Sequence, residues 1–121
     1  MAVHNDLETI ITIVQRFIEK VNERFPVEHA FLFGSYALGI ETDDSDIDVA
    51  IVSSAFSGSR FDDNVSVATM TWGIDTRIEP VAFRPERFND DDLLASEILR
   101  YGIEIPLVVR QPEELKRQGS G

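Results

Sequence analysis

Residues 31–52 of this chain read FLFGSYALGIETDDSDIDVAIV, and this stretch decides the fold. Its two apolar runs are typical of buried strands, which we place at Val27–Phe33 and Ile47–Val52, with Gly34 ending the first. The loop between them concentrates aspartates where the second strand begins. The whole chain already carries a net charge of −11, so these carboxylates repel one another unless a cation lies among them.

Amphipathic helices surround the two strands. Apolar residues recur at helical spacing over residues 6–24, and Asn5 or Asp6 can cap the start of this helix. A weaker pattern predicts a helix over 62–72, with Trp72 in the core. A last helix over 90–101 is expected to be capped by Asn89 and closed by Gly102.

Two further strands complete the predicted sheet. Arg77–Phe83 contains Pro80, which cannot donate to a ladder, so this strand is expected at an edge. Ile103–Val109 is the other candidate. The order α-β-β-α-β-α predicts an α+β fold, a small mixed sheet with flanking helices, as one domain over residues 1–110. Residues 111–121 are expected to form a flexible tail.

The charge balance excludes some classes of function. Eleven Lys and Arg are scattered among twenty-two Asp and Glu, which argues against general nucleic-acid binding. No apolar run approaches the roughly 18 residues of a membrane span. The absence of cysteine agrees with a reducing, cytoplasmic location. A phosphate compound would have to be bound through a cation.

The glycine spacing from Gly34 to Gly39 first suggests a P-loop. A P-loop continues with Lys and then Ser or Thr, whereas Ile40 and Glu41 follow here. Without that lysine the phosphates would lack their usual contact, and the P-loop interpretation fails.

Asp46 and Asp48 carry the strongest chemical signal. Side chains two apart in a strand share a face about 6–7 Å apart, so these two carboxylates point together, away from Ile47 and Val49. Their repulsion, about 2–3 kcal/mol at an effective dielectric near 20, predicts that one holds its proton unless a divalent cation lies between them. Mg²⁺ suits such a site because it binds oxygen ligands and keeps places for water and phosphate.

A third carboxylate would complete a metal clamp for displacement at phosphorus. The segment TRIEPVAF offers Glu79, placed mid-strand where it can lie beside Asp48. Asp75 is the alternative, although its place before the strand favours a turn. Asp43 and Asp44 are expected to be ordinary turn residues. Arg77 and Arg84 are the remaining candidates, because either could reach a triphosphate. Each could equally be an ordinary charged residue in a surface ion pair.

The stretch GSYALGIETDDSDIDVAIV resembles the signature of minimal nucleotidyltransferases of the DNA polymerase beta superfamily: Gly-Ser, ten residues, Asp-x-Asp. SEILRYGIEIP resembles that family's C-terminal helix and strand. The resemblance implies the polymerase beta-like nucleotidyltransferase fold. It also implies that Gly34 and Ser35 hold nucleotide phosphates, that Asp46 and Asp48 bind Mg²⁺, and that Glu79 is the third metal ligand and activates an acceptor hydroxyl.

The resemblance also implies a substrate and a partner. The donor is expected to be ATP, with AMP transferred to a hydroxyl on a helical HEPN-type toxin that is thereby neutralised. One alternative is a catalytically silent binding module that neutralises its partner by contact. Another is transfer to a small molecule such as an aminoglycoside, which usually needs a longer chain to bind the acceptor.

Overall fold

The computed structural model describes residues 6–107. The chain forms four α-helices and four β-strands over this range: α1 Leu7–Asn22, β1 His29–Phe33, α2 Ser35–Leu38, β2 Ile47–Val52, α3 Arg60–Thr69, β3 Ile78–Phe83, α4 Leu93–Tyr101 and β4 Ile103–Glu104. A single 3-10 turn, Pro85–Arg87, lies between β3 and α4. None of the helices in residues 6–107 combines the length and the apolar character needed to cross a bilayer.

The strands form one sheet in the order β3-β2-β1-β4. β1 pairs antiparallel with both β2 and β4, whereas β2 and β3 run parallel. The sheet is therefore mixed, as the sequence predicts, and helices lie on both of its faces. In this register Asp48 lies opposite Phe33 on one side and opposite Glu79 on the other.

Alternation along β2 sends its side chains into two different cores. Ile47, Val49 and Ile51 join the larger core, beneath α1 and α3, and Ala50 and Val52 join the smaller one, beneath α4. The larger core includes Ile10, Val14, Phe17, Ile18, Val21, Leu32, Phe56, Val67 and Ile78. The smaller core contains Phe33, Ala50, Val52, Phe83, Ala95 and Ile98. Asp48 shares the face of the smaller core, because it alternates with Ile47 and Val49.

The N-cap of the last helix differs from the sequence prediction. Asp92, not Asn89, caps α4, and its side chain accepts a hydrogen bond of 3.0 Å from the backbone of Ala95. Asn89 instead accepts a hydrogen bond from the N–H of Asp91 and so fastens the preceding turn. Both residue types can cap a helix, so local preference alone could not choose between them. Asp6 caps α1 as predicted, and Asn5 lies outside the described residues.

Gly102 ends α4, but it does not adopt the left-handed conformation usual for a terminal glycine. Its backbone is extended, with φ −72°. A Cβ at this position would come within 2.5 Å of the Ile98 carbonyl oxygen, so glycine is required by close packing. The strand that follows, β4, has two residues; the predicted positions Val108 and Val109, like the tail 111–121, lie outside the described residues.

The expectation that Trp72 is a core residue is wrong. Helix α3 begins earlier than predicted, at Arg60, with Ser59 as its N-cap, and ends at Thr69. Trp72 then falls in the following turn, 66% exposed, and Phe61 on the outer face of α3 is 77% exposed. A weak helical pattern cannot fix which apolar residues face inward when the start of the helix shifts by two residues.

Strand β3 is an edge strand, as Pro80 predicts. Every second residue of this strand directs its backbone nitrogen to the outer side, and none of these positions has a free N–H group. Ile78 donates to the carbonyl of Asp75, Pro80 has no N–H, and Ala82 donates to the side chain of Asn64 on α3 at 2.7 Å. The outer side of this strand therefore offers no free backbone donor at these three positions.

Candidate active site

Strand pairing gathers three acidic side chains at one end of the sheet. Asp48 and Glu79 are direct partners in the parallel pair of β2 and β3, and Asp46 immediately precedes β2. Neighbouring strands lie about 4.8 Å apart, and paired residues project from the same face. The expected third carboxylate, Glu79, therefore lies beside Asp48 as predicted.

Gly34 lies directly against the Asp48 carboxylate. Its φ of 75° is one that other residues rarely adopt, and a Cβ at this position would come within 2.1 Å of Asp48 Oδ2. Glycine is required here both by backbone conformation and by space. The Gly-Ser turn and the Asp-x-Asp strand thus form one continuous surface, although fourteen positions separate Gly34 from Asp48 in the chain.

The electrostatics of Asp48 reflect this crowding. Burial, as the largest cause, and the negative charges of Glu79 and then Asp46 together raise its pKa from 3.8 to about 6. The side chain is half-buried. The raised pKa of Asp48 has the direction that the sequence predicted for one of the clustered carboxylates, and a group with a pKa of about 6 keeps its proton only below that pH.

Glu79 and Asp46 form the outer part of the cluster. Both side chains are exposed. Burial raises the pKa of Glu79 above its ordinary value, and the charge of Asp46 and a hydrogen bond with Asp46 act in the same direction. The three carboxylates therefore interact with one another while two of them remain open to solvent.

The donor atoms of this cluster are all carboxylate oxygens. Within residues 6–107 no group of three or more His, Cys, Asp or Glu side chains is arranged to hold a metal ion by itself. Mg²⁺ does not need a closed group, because it is commonly bound by one or two carboxylates together with waters and substrate phosphates. The chemistry of the donor set and the repulsion that raises the Asp48 pKa both fit such an ion.

Ser35 begins the short helix α2 directly after Gly34. The sequence did not predict this helix, because four residues are too few to display a helical period. The Ser35 side chain is half-buried, and within the described part of the chain its hydroxyl has no hydrogen-bond partner. The hydroxyl is thus available to a ligand beside Gly34.

The loop before β2 is fastened by its own side chains. Thr42 donates from its backbone to Ser45 Oγ at 2.8 Å, and Ser45 donates back to the Thr42 carbonyl at 3.1 Å. Asp43 and Asp44 lie exposed at the tip of this turn. They are turn residues, as predicted, and Asp46 is positioned by the turn that ends just before it.

Asp75, the alternative third carboxylate, is bound elsewhere. Arg77 donates to it from the backbone N–H and from two guanidinium nitrogens, at 2.8 to 3.1 Å. These hydrogen bonds hold the pKa of Asp75 below its ordinary value. Arg84 likewise donates to the carbonyls of Ser54 and Phe56. Both arginines are therefore engaged within the fold.

Residues 14–119 match the family described as "Nucleotidyltransferase domain". The chain belongs to this nucleotidyltransferase family. Its fold is the one that the sequence resemblance implies, and the family is one of transferases. No curated protein sequence matches the chain.

Solved structures agree with this nucleotidyltransferase fold. A crystal structure assigned as a nucleotidyltransferase from Sulfolobus solfataricus is 22% identical, with a TM-score of 0.53 over 64% of this chain and 69% of that one. A mutant of the toxin–antitoxin pair MntA–HpeT is 15% identical, with a TM-score of 0.50 over 87% and 80%. A toxin–antitoxin structure with AMP-PNP is 16% identical, with a TM-score of 0.52 over 91% and 85%.

One feature beside the carboxylate cluster was not predicted from the sequence. A cavity of about 280 Å³ adjoins Gly34 and is lined by Phe33, Gly34, Leu38, Glu97 and Tyr101. Residues four apart on a helix share a face, so the sequence is sufficient to predict that Glu97 and Tyr101 are adjacent on α4. The sequence does not predict that these two residues lie close to α2, because their position depends on how α4 packs across β1.

Proposed function

We propose that this protein is a Mg²⁺-dependent nucleotidyltransferase that moves AMP from ATP to a hydroxyl on a partner protein and releases pyrophosphate. The observation that carries the proposal is the pairing of Asp48 with Glu79 beside Gly34. It combines mutually repelling carboxylates with a glycine turn, a kind of backbone structure that can bind phosphate through its N–H groups. A fold with no ligand to bind would have no reason to keep this arrangement.

Asp46, Asp48 and Glu79 are the residues that would hold Mg²⁺. When bound, the ion neutralises phosphate charge and favours the transition state for phosphoryl displacement. With a net charge of −11, the chain needs such a cation to approach a triphosphate. The half-buried position of Asp48 and the exposure of Asp46 and Glu79 leave room for phosphate oxygens and water.

Gly34 and Ser35 would bind the phosphates of the donor. Gly34 supplies the turn with its positive φ and leaves room for the Asp48 carboxylate, and the unpartnered Ser35 hydroxyl can donate to a phosphate oxygen. Holding the chain of phosphates in this position fixes the α-phosphorus relative to the acceptor. Such positioning supplies much of the rate in phosphoryl transfer.

The transfer step is a displacement at the α-phosphorus. The acceptor hydroxyl oxygen forms a bond to phosphorus, and the bond from phosphorus to the bridging oxygen of pyrophosphate breaks. The hydroxyl proton passes to the Glu79 carboxylate. The exposed position of the Glu79 side chain leaves it open to such a hydroxyl, as a base for this proton must be.

The acceptor is proposed to be a helical HEPN-type toxin, which makes this protein an antitoxin. Two structures of similar fold are toxin–antitoxin structures, and one of them contains AMP-PNP. The exposure of Asp46 and Glu79 supports transfer to a macromolecule, because a hydroxyl on another protein can reach them.

Label transfer from ATP tests this proposal. The protein is incubated with Mg²⁺ and ATP labelled at the α-phosphate, with and without a candidate partner, and the double variant Asp46→Ala/Asp48→Ala is compared with wild type. We expect the label on the partner to fall at least about 100-fold in the variant. The matched control, Asp43→Ala/Asp44→Ala, removes the same charge from the exposed turn of the same loop and should retain full transfer.

Two results would overturn the proposal. Transfer that survives the Asp46 and Asp48 substitutions would show that these carboxylates do not carry the reaction. Tight partner binding without any transfer, by wild type and variant alike, would identify a binding module that neutralises by contact alone.

A further inference from the structure

The cavity beside Gly34 lies on the same face of the sheet as the carboxylates. Phe33 is the register partner of Asp48 in the antiparallel pair of β1 and β2, so its ring projects from the same face one strand over. Gly34 follows Phe33, contributes to the cavity wall and lies against the Asp48 carboxylate. The cavity and the acidic cluster are therefore neighbours, separated by one glycine.

The walls of the cavity are apolar on two sides. Leu38 at the end of α2 and Tyr101 at the end of α4 are both more than half exposed, at 54% and 56%. Phe33 is buried beneath them in the smaller core. A flat group entering between Leu38 and Tyr101 would cover apolar surface that now faces water.

Glu97 is the charged residue in the lining of this cavity. It lies one helical turn before Tyr101 on α4, so the two side chains are adjacent. An ionised carboxylate accepts hydrogen bonds and cannot donate them. It repels phosphate, so the cavity suits an uncharged part of a ligand that presents an N–H group.

We propose that this cavity holds the base of the donor nucleotide, and that Glu97 selects bases with an exocyclic amino group. The base lies between Leu38 and Tyr101, and Glu97 accepts a hydrogen bond from the amino group. Adenine, cytosine and guanine each carry such a donor, whereas uracil has no exocyclic amino group. This inference rests on the proposed function, because it requires the phosphates to lie at Gly34 and Ser35.

The geometry favours the base over the side chain of an acceptor. An acceptor hydroxyl must reach the α-phosphorus beside Asp46 and Glu79, whereas the cavity lies beyond Gly34 on the β1 side. The donor nucleotide has a charged end and a flat apolar end joined by a ribose. It can therefore occupy the carboxylate surface and the cavity at once.

Binding measurements with a donor that cannot be transferred test the inference. The probes are the α,β-methylene analogues of ATP, of UTP and of purine riboside triphosphate, which lacks the amino group, each with Mg²⁺ and followed by calorimetry. Wild type should bind the ATP analogue at least about tenfold more tightly than the purine riboside analogue, as expected for a hydrogen bond to a charged acceptor. Glu97→Ala should remove this difference.

Further variants separate the contributions of the wall and of the carboxylate. Glu97→Gln adds an N–H donor and should improve binding of the UTP analogue relative to the ATP analogue. Tyr101→Ala should weaken the ATP analogue at least about fivefold, because base stacking is lost. Tyr101→Phe keeps the ring and should bind as wild type does. Leu93→Ala, on α4 but outside the cavity and 90% exposed, is the matched control.

The outcomes distinguish this inference from the proposed function. If wild type binds none of the analogues, both fail together. If wild type binds them and the Asp46 and Asp48 substitutions abolish binding, while those at Glu97 and Tyr101 change nothing, only the base site is wrong. If Tyr101→Ala leaves nucleotide affinity intact but reduces transfer to a partner, the cavity receives the acceptor and not the base.

Discussion

Replacing Asp48 by asparagine should stabilise the protein in the absence of metal. The pKa of Asp48 rises from 3.8 to about 6 in the folded state. At about 1.4 kcal/mol for each pKa unit, the ionised side chain would cost at most about 3 kcal/mol. Because the side chain is half-exposed, solvent screening reduces this figure to about 1–2 kcal/mol. Asparagine has nearly the same shape and carries no charge.

The sign of the pH dependence follows from linkage. A carboxyl whose pKa is raised by folding costs nothing below the pKa of the unfolded chain, near 3.8, because it is protonated in both states. The cost appears as pH rises and is complete above about 6. The advantage of Asp48→Asn should therefore be full at pH 7.5 and nearly absent at pH 4.

Urea unfolding followed by far-UV circular dichroism, with a chelator present, measures this difference. At pH 7.5 the midpoint of Asp48→Asn should lie about 0.5–1 M above that of wild type. Asp44→Asn, on the exposed turn, serves as control and should change the free energy of unfolding by less than about 0.5 kcal/mol. The reasoning would be refuted if Asp48→Asn were no more stable than wild type at pH 7.5. It would also be refuted if the gain in stability over wild type were as large at pH 4 as at pH 7.5.

Three other substitutions test separate parts of the structure. Gly34→Ala should be destabilised by at least about 2 kcal/mol more than Gly39→Ala in chemical unfolding. Both glycines have φ near 75°, but only a side chain at position 34 would collide with Asp48. Equal losses of stability would show that Gly34 and Asp48 are not in close contact. Glu79→Gln should lower the pKa of Asp48 in a carbon-13 NMR titration, since the Glu79 charge helps to raise it. An unchanged pKa would show that the two side chains do not interact. Asn64→Ala should cost about 1–2 kcal/mol in thermal or urea unfolding by leaving a β3 donor without its acceptor, whereas a neutral effect would mean that water replaces the amide.

The sequence predicted the parts of the fold that have a local signal. The apolar stripe of α1 and the two buried strands around the acidic loop have clear periods, and each is present. Pro80 correctly marked an edge strand, because a proline excludes pairing on the side to which its nitrogen points. These predictions rest on one segment at a time.

The remainder depended on contacts between distant segments. The position of Glu79 beside Asp48 was predicted from its place in the middle of a strand, but the parallel register that makes the two residues direct partners is not determined by any local pattern. The same holds for Gly34: its turn was predictable, but not its contact with the Asp48 carboxylate. Trp72 was misassigned because hydrophobicity alone does not say whether a residue after a short helix faces a core or water.

The closed edge of β3 restricts how another protein can associate with this domain. Ile78, Pro80 and Ala82 leave no backbone donor along that side. An incoming strand would find carbonyl oxygens but no N–H groups, and so could not extend the sheet past Glu79 with a full ladder. A binding partner that approaches the acidic end from this side must therefore use side-chain contacts, which leaves the carboxylates of Asp48 and Glu79 uncovered by any added strand.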